Sequence, residues 1–179
     1  MESPQAATFP TTPPATPEGA GPAVPRTAQE LLELSQVDLY QLFRRCKAGR
    51  VPTGRGRGTP IFFPGTAATQ PAAKLFGATV WRGKVFRPES ADLKNLISIL
   101  AIPAIRARVY NEESWFDGRE CTVLDYSQTS RICRWVRDEI REVEPGLYLG
   151  LVYGVGRFFG GRRLLDVTFA LSFSSASDV

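Results

Sequence analysis

The second half of the chain alternates short strand-like runs with turn dipeptides, and this rhythm restricts the fold more than any other feature. In AIRARVY, residues 104–110, apolar and arginine side chains alternate with a period of two, the pattern of a half-buried β-strand. Asp117-Gly118 follows as a strong hairpin signal, and CTVLDYS, residues 121–127, supplies the partner strand. The sequence therefore predicts an antiparallel hairpin over about 104–127.

A second hairpin is predicted near the end of the chain. LYLGLVYG, residues 147–154, and LLDVTFALSF, residues 164–173, are both strand-like and are separated by a glycine-rich stretch. GVGRFFGG, residues 154–161, has a glycine spacing similar to that of a dinucleotide loop, but that motif requires a following helix. We therefore interpret it as a hairpin loop. The fold class is mainly β with some helix (α+β): an antiparallel sheet or small barrel.

The stretch between the two hairpins has two interpretations. Ile132, Val136, Ile140 and Val143 recur at helical spacing. DEIREV beside Pro145-Gly146 also forms one arm of a hairpin with LYLGLVYG. We favour a helix over 129–136 that changes into a strand.

The N-terminal part predicts a tail followed by one helix. Residues 1–26 contain seven prolines and few large apolar side chains, so a disordered tail is expected. From Thr27, which forms a capping box with Glu30, an amphipathic helix is predicted to run to Gly49. Its apolar face is Leu32, Leu39, Leu42, Phe43 and Cys46. The predicted organisation is a tail over 1–26, a single β-rich domain over 27–174 and a disordered tail over 175–179.

The middle of the chain is predicted as a loop, a short helix and two strands. Residues 50–65 are a loop, anchored by a strand at 61–63, and 69–80 form a short helix with Pro71 in its first turn. In WRGKVF, residues 81–86, strict alternation sets Lys84 on the side opposite Trp81. LKNLISIL, residues 93–100, is the next strand.

Composition excludes several classes of site. The chain has no histidine, so histidine-dependent triads and the commonest metal ligand are excluded. Its three cysteines have no CxxC spacing, which argues against a zinc site or a disulfide framework. We expect no metal and no cofactor. The longest apolar stretch, residues 96–105, is too short to span a membrane, and no secretory signal is evident, so a cytoplasmic location is expected.

The segment VWRGKVF around Trp81 resembles the Gly-x-Trp first strand of lipocalin-like (calycin) proteins, with Thr79 in the place of the glycine. This resemblance implies a closed antiparallel barrel that holds a small hydrophobic ligand. A second stretch, SWFDGRECTVLDYS followed by RDEIREVEPGLYLGLVYG, is similar to the C-terminal half of small uncharacterised bacterial proteins. That similarity covers roughly 81–173 and implies a shared fold with no established activity.

The leading hypothesis is a non-enzymatic binding or carrier protein for a small lipophilic molecule with a polar head. Charges beside buried strands are costly unless they pair or line a cavity. The predicted head-group residues are Trp81, Tyr126, Arg137, Arg141, Tyr148 and Tyr153. The predicted apolar walls are Ile105, Ala107, Val109, Val123, Leu149, Leu151, Phe169 and Leu171.

Two alternatives stay open. The first is a metal-independent isomerase, cyclase or hydrolase on the same scaffold, with Asp125 or Glu139 as general base and Tyr126 as proton donor. The second is RNA or phosphate binding through arginine- and glycine-rich segments, although the mild net charge of +4 makes nucleic acid the least favoured partner. The candidate residues for RNA or phosphate binding are Arg50, Arg55, Arg57, Arg162 and Arg163. The oligomeric state is left open.

Overall fold

A computed structural model describes residues 23–79, 81–97, 105–131 and 133–174. The helices are α1 (Ala28–Leu32), α2 (Gln36–Arg45) and α3 (Thr69–Thr79), with short 3-10 turns at Pro88–Ser90 and Arg157–Phe159. The strands are β1 (Gly54–Ile61), β2 (Trp81–Arg87), β3 (Asp92–Ile97), β4 (Arg106–Glu113), β5 (Glu120–Asp125), β6 (Val136–Glu144), β7 (Leu147–Gly156) and β8 (Gly161–Phe173). Most of the predicted N-terminal tail, the C-terminal tail over 175–179, residues 98–104 and Ile132 lie outside the described residues.

The eight strands form one closed antiparallel barrel. Each strand pairs with its neighbour along the chain, and β8 returns to pair with β1, so that Gly56 lies opposite Phe173. The predicted mainly β class is confirmed, and both predicted hairpins are present as β4–β5 and β7–β8. Among the helices of the described ranges, none is long and apolar enough to cross a bilayer.

The barrel wall has two apolar faces, because successive side chains of a strand point to opposite sides. The inner face, toward the barrel axis, contains Phe86, Leu93, Ala107, Val109, Leu124, Tyr126, Ile140, Tyr148, Phe169 and Leu171. The outer face packs against α1 and α2 and contains Cys121, Val123, Leu147, Leu149, Leu151, Tyr153 and Ala170. Hence the helices cover one side of the barrel.

The predicted single N-terminal helix is two helices. The Thr27 hydroxyl accepts from the Glu30 backbone N–H at 3.2 Å, as expected, but α1 ends at Leu32. Ser35 then caps α2 by accepting from the Asp38 N–H at 3.2 Å. Because a serine hydroxyl offers a second helix start, the chain turns here. The apolar faces of both helices still reach the barrel.

The predicted loop over 50–65 is wrong in its central part, where β1 runs from Gly54 to Ile61. The period-two pattern GRGRG sets its glycines on the inner face, where large rings approach the backbone. A Cβ at Gly56 would lie 2.4 Å from the Phe173 ring, and one at Gly58 would lie 2.6 Å from the Trp81 ring. Glycine is therefore required by packing rather than by loop geometry.

The predicted helix over 129–136 is also wrong. Residues 129–131 and 133–135 form turns and bends, and the strand that was expected to follow begins at Val136. The hairpin interpretation holds, since β6 and β7 pair across Pro145-Gly146. Gly146 has φ +82°, a conformation that favours glycine at this turn position. Tertiary pairing therefore overrides the helical spacing in this segment.

A β-bulge in β2 corrects the predicted alternation of WRGKVF. The pairing with β3 shifts register between Trp81 and Gly83, which inserts one extra residue. Gly83 has φ +129°, and a Cβ there would lie 2.0 Å from the Gly56 carbonyl oxygen. As a result, Trp81 and Lys84 both face the barrel axis.

We predict that Gly150→Ala destabilises the barrel. A Cβ at this position would lie 2.2 Å from the Phe169 ring, and overpacking of this kind costs about 1–3 kcal/mol of unfolding free energy. Urea denaturation followed by circular dichroism measures the loss. The double variant with Phe169→Leu should be more stable than the sum of the single changes predicts. Strictly additive losses would contradict this packing argument.

Candidate functional site

Four polar side chains meet on the inner face and form what we call the Lys84 cluster: Lys84, Asn95, Tyr126 and Asp138. The Lys84 ammonium donates to the Tyr126 hydroxyl at 2.5 Å, to Asn95 Oδ1 at 3.0 Å and to Asp138 Oδ2 at 3.0 Å. Tyr126 donates in turn to Asp138 Oδ2 at 3.1 Å. All three ammonium hydrogens therefore have acceptors inside the barrel.

Aromatic rings surround this ammonium. Lys84 Nζ lies 5.3 Å from the ring centres of both Trp81 and Phe169 and 5.2 Å from that of Tyr126. Trp81 and Phe169 meet edge to face with centroids 5.5 Å apart. Asn95 also accepts from the Trp81 indole N–H at 3.3 Å. The cation–π contacts with Trp81 and Phe169 compensate part of the hydration that the ammonium loses, whereas Tyr126 contacts Nζ through its hydroxyl.

Burial of the cluster is nearly complete. Lys84 is 3 % exposed and Asp138 is 4 % exposed. Burial, reinforced by the Asp138 charge, raises the pKa of Tyr126 well above its ordinary value of 10, so the hydroxyl keeps its proton across the physiological range. The cluster thus joins a cation, a carboxylate, an amide and a neutral hydroxyl by hydrogen bonds, which are groups able to recognise a polar ligand or to pass a proton.

The six predicted head-group residues divide between the two faces of the wall. Trp81, Tyr126 and Tyr148 belong to the inner face, whereas Tyr153 belongs to the outer cluster. Arg137 and Arg141 also point outward, because they alternate with the inward Asp138 and Ile140 along β6. Within the described structure, only Trp81 and Tyr126 of the six meet at the Lys84 cluster.

Arg137 pairs with two carboxylates on the outer face. Its guanidinium lies 2.7 Å from Glu112 Oε2 and 3.1 Å from Glu139 Oε1. Glu139 is fully buried and also accepts from the Ser114 hydroxyl and the Trp115 backbone N–H. This network ties the β4–β5 hairpin loop to β6.

Arg141 is fully buried and forms a second set of contacts between separate parts of the chain. Its guanidinium donates to both carboxylate oxygens of Asp117, at 2.7 and 2.6 Å. It also donates to the carbonyl oxygens of Phe43, Arg119 and Glu120 at 2.9, 2.9 and 3.1 Å. Arg141 therefore joins α2, the hairpin loop and the barrel.

The two remaining tyrosines lie away from the cluster. The Tyr148 hydroxyl is within hydrogen-bond distance of the Arg50 carbonyl oxygen, at 2.9 Å, and of Glu142 Oε1, at 3.1 Å. Burial and the Glu142 charge raise the pKa of Tyr148. The buried Tyr153 hydroxyl has no hydrogen-bond partner among the described residues.

The proposed catalytic residues are not brought together. Tyr126 faces the barrel axis, whereas Asp125 and Glu139 lie on the outer side of the wall, where Asp125 pairs in register with Arg137. The inward carboxylate next to Tyr126 is that of Asp138. Among the described residues, no group of three or more histidine, cysteine or acidic side chains is arranged to hold a metal ion.

The predicted apolar walls also divide. Ile105, Ala107, Val109, Phe169 and Leu171 contribute to the inner cluster. Val123, Leu149 and Leu151 belong to the outer cluster.

Sequence reasoning missed Lys84 and Asn95, and it considered Asp138 only as one charge of the DEIREV segment, not as a site residue. The available signal was Gly83, since a glycine inside a strand pattern indicates a bulge. A bulge at Gly83 moves Lys84 to the face of Trp81.

Comparisons with known proteins support the architecture. No family model matches the chain, and no curated protein matches it. Among solved structures, a protein from Thermomonospora curvata is similar, with a TM-score of 0.55 and 21 % identity over 80 % of this chain and 90 % of that chain. This likeness shows the fold alone. The barrel is consistent with the calycin-like resemblance of VWRGKVF.

Proposed function

We propose that this barrel binds a small lipophilic molecule whose neutral polar head meets the Lys84 cluster. The observation that carries the proposal is the buried Lys84–Asp138 pair, 3.0 Å apart, on the inner face of the barrel beside its apolar cluster. Removing two charges from water costs several kcal/mol per ion, and an apolar pair of similar volume serves stability as well or better. We infer that the Lys84–Asp138 pair serves ligand recognition rather than folding.

The chemistry of the cluster favours a neutral head. Lys84 and Asp138 together carry no net charge, so a carboxylate head would meet the Asp138 charge as well as the ammonium. A hydroxyl or carbonyl exchanges hydrogen bonds with Tyr126 and Asn95 without adding charge. Arg137 and Arg141, the two cations among the predicted head-group residues, are already paired on the outer face.

One end of the barrel carries a group of partly exposed apolar side chains. This is the end at which β2, β4, β6 and β8 begin. Because neighbouring strands are antiparallel, β1, β3, β5 and β7 finish at the same end. Partly exposed apolar side chains pack there beside the inner cluster: Trp81, Ile105, Cys133, Val136 and Val152. This end supports entry of an apolar body toward Lys84.

Equilibrium dialysis with two ligands of equal shape tests the proposal. We expect 2-naphthol to bind about tenfold or more tightly than 2-methylnaphthalene, because only the hydroxyl bonds to the cluster. The double variant Lys84→Met with Asp138→Leu should lose this preference. Native mass spectrometry of the purified protein would also show a bound small molecule that the double variant lacks.

A matched control removes an ion pair on the outer side of the same barrel. Arg87 and Asp92 are 3.0 Å apart and partly exposed, so Arg87→Met with Asp92→Leu should leave the preference for 2-naphthol unchanged. Equal binding of the two ligands by the native protein, or no binding of either, would refute the proposed function.

A further inference from the structure

A basic cleft of about 1010 Å³ lies on the outside of the barrel. Its cationic lining residues are Arg55 and Arg57 of β1, Lys74 of α3 and Arg82 of β2. Residues of α1 and the end of β8 complete the lining, which includes no aspartate or glutamate. The cleft therefore combines four positive charges with no acidic side chain.

Strand geometry explains why the charges converge. Arg55 and Arg57 are two residues apart on one strand, so they share the outer face at a spacing of about 7 Å. Arg57 lies opposite Gly83 of β2, next to Arg82, and opposite Ser172 of β8 on its other side. The glycines between the arginines face inward. Hence GRGRG sets its charges on the surface and its small residues against the core.

The four cations are exposed and have no carboxylate within 4.0 Å in the part of the chain that the structure describes. Other exposed strand cations of the described residues, such as Arg108 and Arg163, also lack an acid within this distance, so the cleft is distinguished by the convergence of four cations on one cavity. Like charges held together raise the local potential and attract anions. A concentrated cluster of unpaired cations in a chain of net charge +4 indicates an anionic ligand.

We propose that the basic cleft binds a small ligand carrying two or more phosphate groups. Guanidinium groups bind phosphate oxygens in bidentate fashion, and three of them beside an ammonium match clustered phosphates. Neutral hydrogen-bonding side chains also line the cleft: Gln29, Thr59, Gln70, Ser172 and Ser174. The volume is at the upper end of the range for small-molecule sites.

The lining argues against a nucleic-acid strand. Proteins that bind single strands stack bases on aromatic rings, and the cleft has no aromatic lining residue. The proposal is independent of the Lys84 cluster, because the two sites lie on opposite faces of the wall.

Isothermal titration calorimetry with sodium tripolyphosphate at low salt tests the basic cleft. We expect tripolyphosphate to bind more tightly than inorganic phosphate, with an affinity that falls as salt is added. Arg55→Gln with Arg57→Gln should weaken binding tenfold or more. Arg157→Gln removes an exposed arginine outside the cleft and should leave the affinity unchanged. Circular dichroism should show that all these variants fold, since each arginine is exposed.

Parallel titrations identify the source of the phosphates. Binding of free inositol 1,4,5-trisphosphate supports a soluble ligand, and binding only to vesicles containing phosphatidylinositol 4,5-bisphosphate supports a lipid head group; in both cases the β1 double variant must weaken it. The proposal is overturned if tripolyphosphate does not bind at millimolar concentration, or if the β1 double variant and Arg157→Gln bind equally. Tighter binding of a thymidine 20-mer than of tripolyphosphate, dependent on Arg55 and Arg57, would also overturn it in favour of nucleic acid.

Discussion

Arg141→Met should lower the free energy of unfolding by about 3–5 kcal/mol. The change leaves the Asp117 carboxylate without its cation, and it removes the donor to the carbonyl oxygens of Phe43, Arg119 and Glu120. Polar groups that stay buried without partners lose their hydration uncompensated. Urea denaturation followed by tryptophan fluorescence measures the effect.

A partly exposed pair with similar geometry serves as the control. Arg87 donates to both oxygens of Asp92 at 3.1 and 3.0 Å, but its side chain is 38 % exposed. We expect Arg87→Met to cost less than about 1 kcal/mol, because solvent screens the pair. Similar losses of unfolding free energy for Arg141→Met and Arg87→Met would show that burial does not determine how much these ion pairs contribute to stability.

The effect of Arg141→Met should depend on pH. The hydrogen bond from Arg141 holds the pKa of Asp117 below its ordinary value of 3.8. A depressed carboxyl pKa stabilises the folded state above the unfolded pKa, and this contribution is lost as the pH falls through the folded pKa. The stability difference between native and variant proteins should therefore narrow below about pH 4. A difference that stays constant between pH 7 and pH 3 would contradict the assigned role of Asp117.

Asp138→Ala should also destabilise the barrel by about 3–5 kcal/mol, because it leaves the Lys84 ammonium buried without its counter-ion. The double variant Lys84→Met with Asp138→Leu should recover at least half of that loss. It removes both charges and fills the space with apolar atoms, and Asn95 still donates to the Tyr126 hydroxyl at 3.2 Å. Thermal and urea denaturation of the two variants provide the comparison.

This prediction separates stability from function. If the double variant folds well and loses the preference for 2-naphthol, the Lys84–Asp138 pair serves ligand recognition rather than folding. A double variant less stable than Asp138→Ala would show instead that the ion pair itself supports the barrel.

Local sequence patterns were enough to predict the mainly β class and both hairpins. Period-two alternation in 104–110 and turn signals such as Asp117-Gly118 depend only on neighbouring residues, so they are readable without tertiary information. The helix cap at Thr27 could be predicted for the same reason, because it involves Glu30 only three residues away. Strict alternation could not predict that Lys84 faces the barrel axis. The residue inserted at the bulge places Trp81, before the bulge, and Lys84, after it, on the same face of the strand.

What the sequence determined by itself is the pair of hairpins β4–β5 and β7–β8 and the start of the first helix, because these follow from contacts within a few residues. Tertiary structure alone decided which face of each strand lies inside the closed barrel. It thereby placed Lys84, Asn95, Tyr126 and Asp138 together, although up to 54 positions separate them in the chain. It also made Arg141 a structural tie and assembled the basic cleft from separate elements. The physical reason is that barrel closure and the bulge at Gly83 depend on pairing between distant segments.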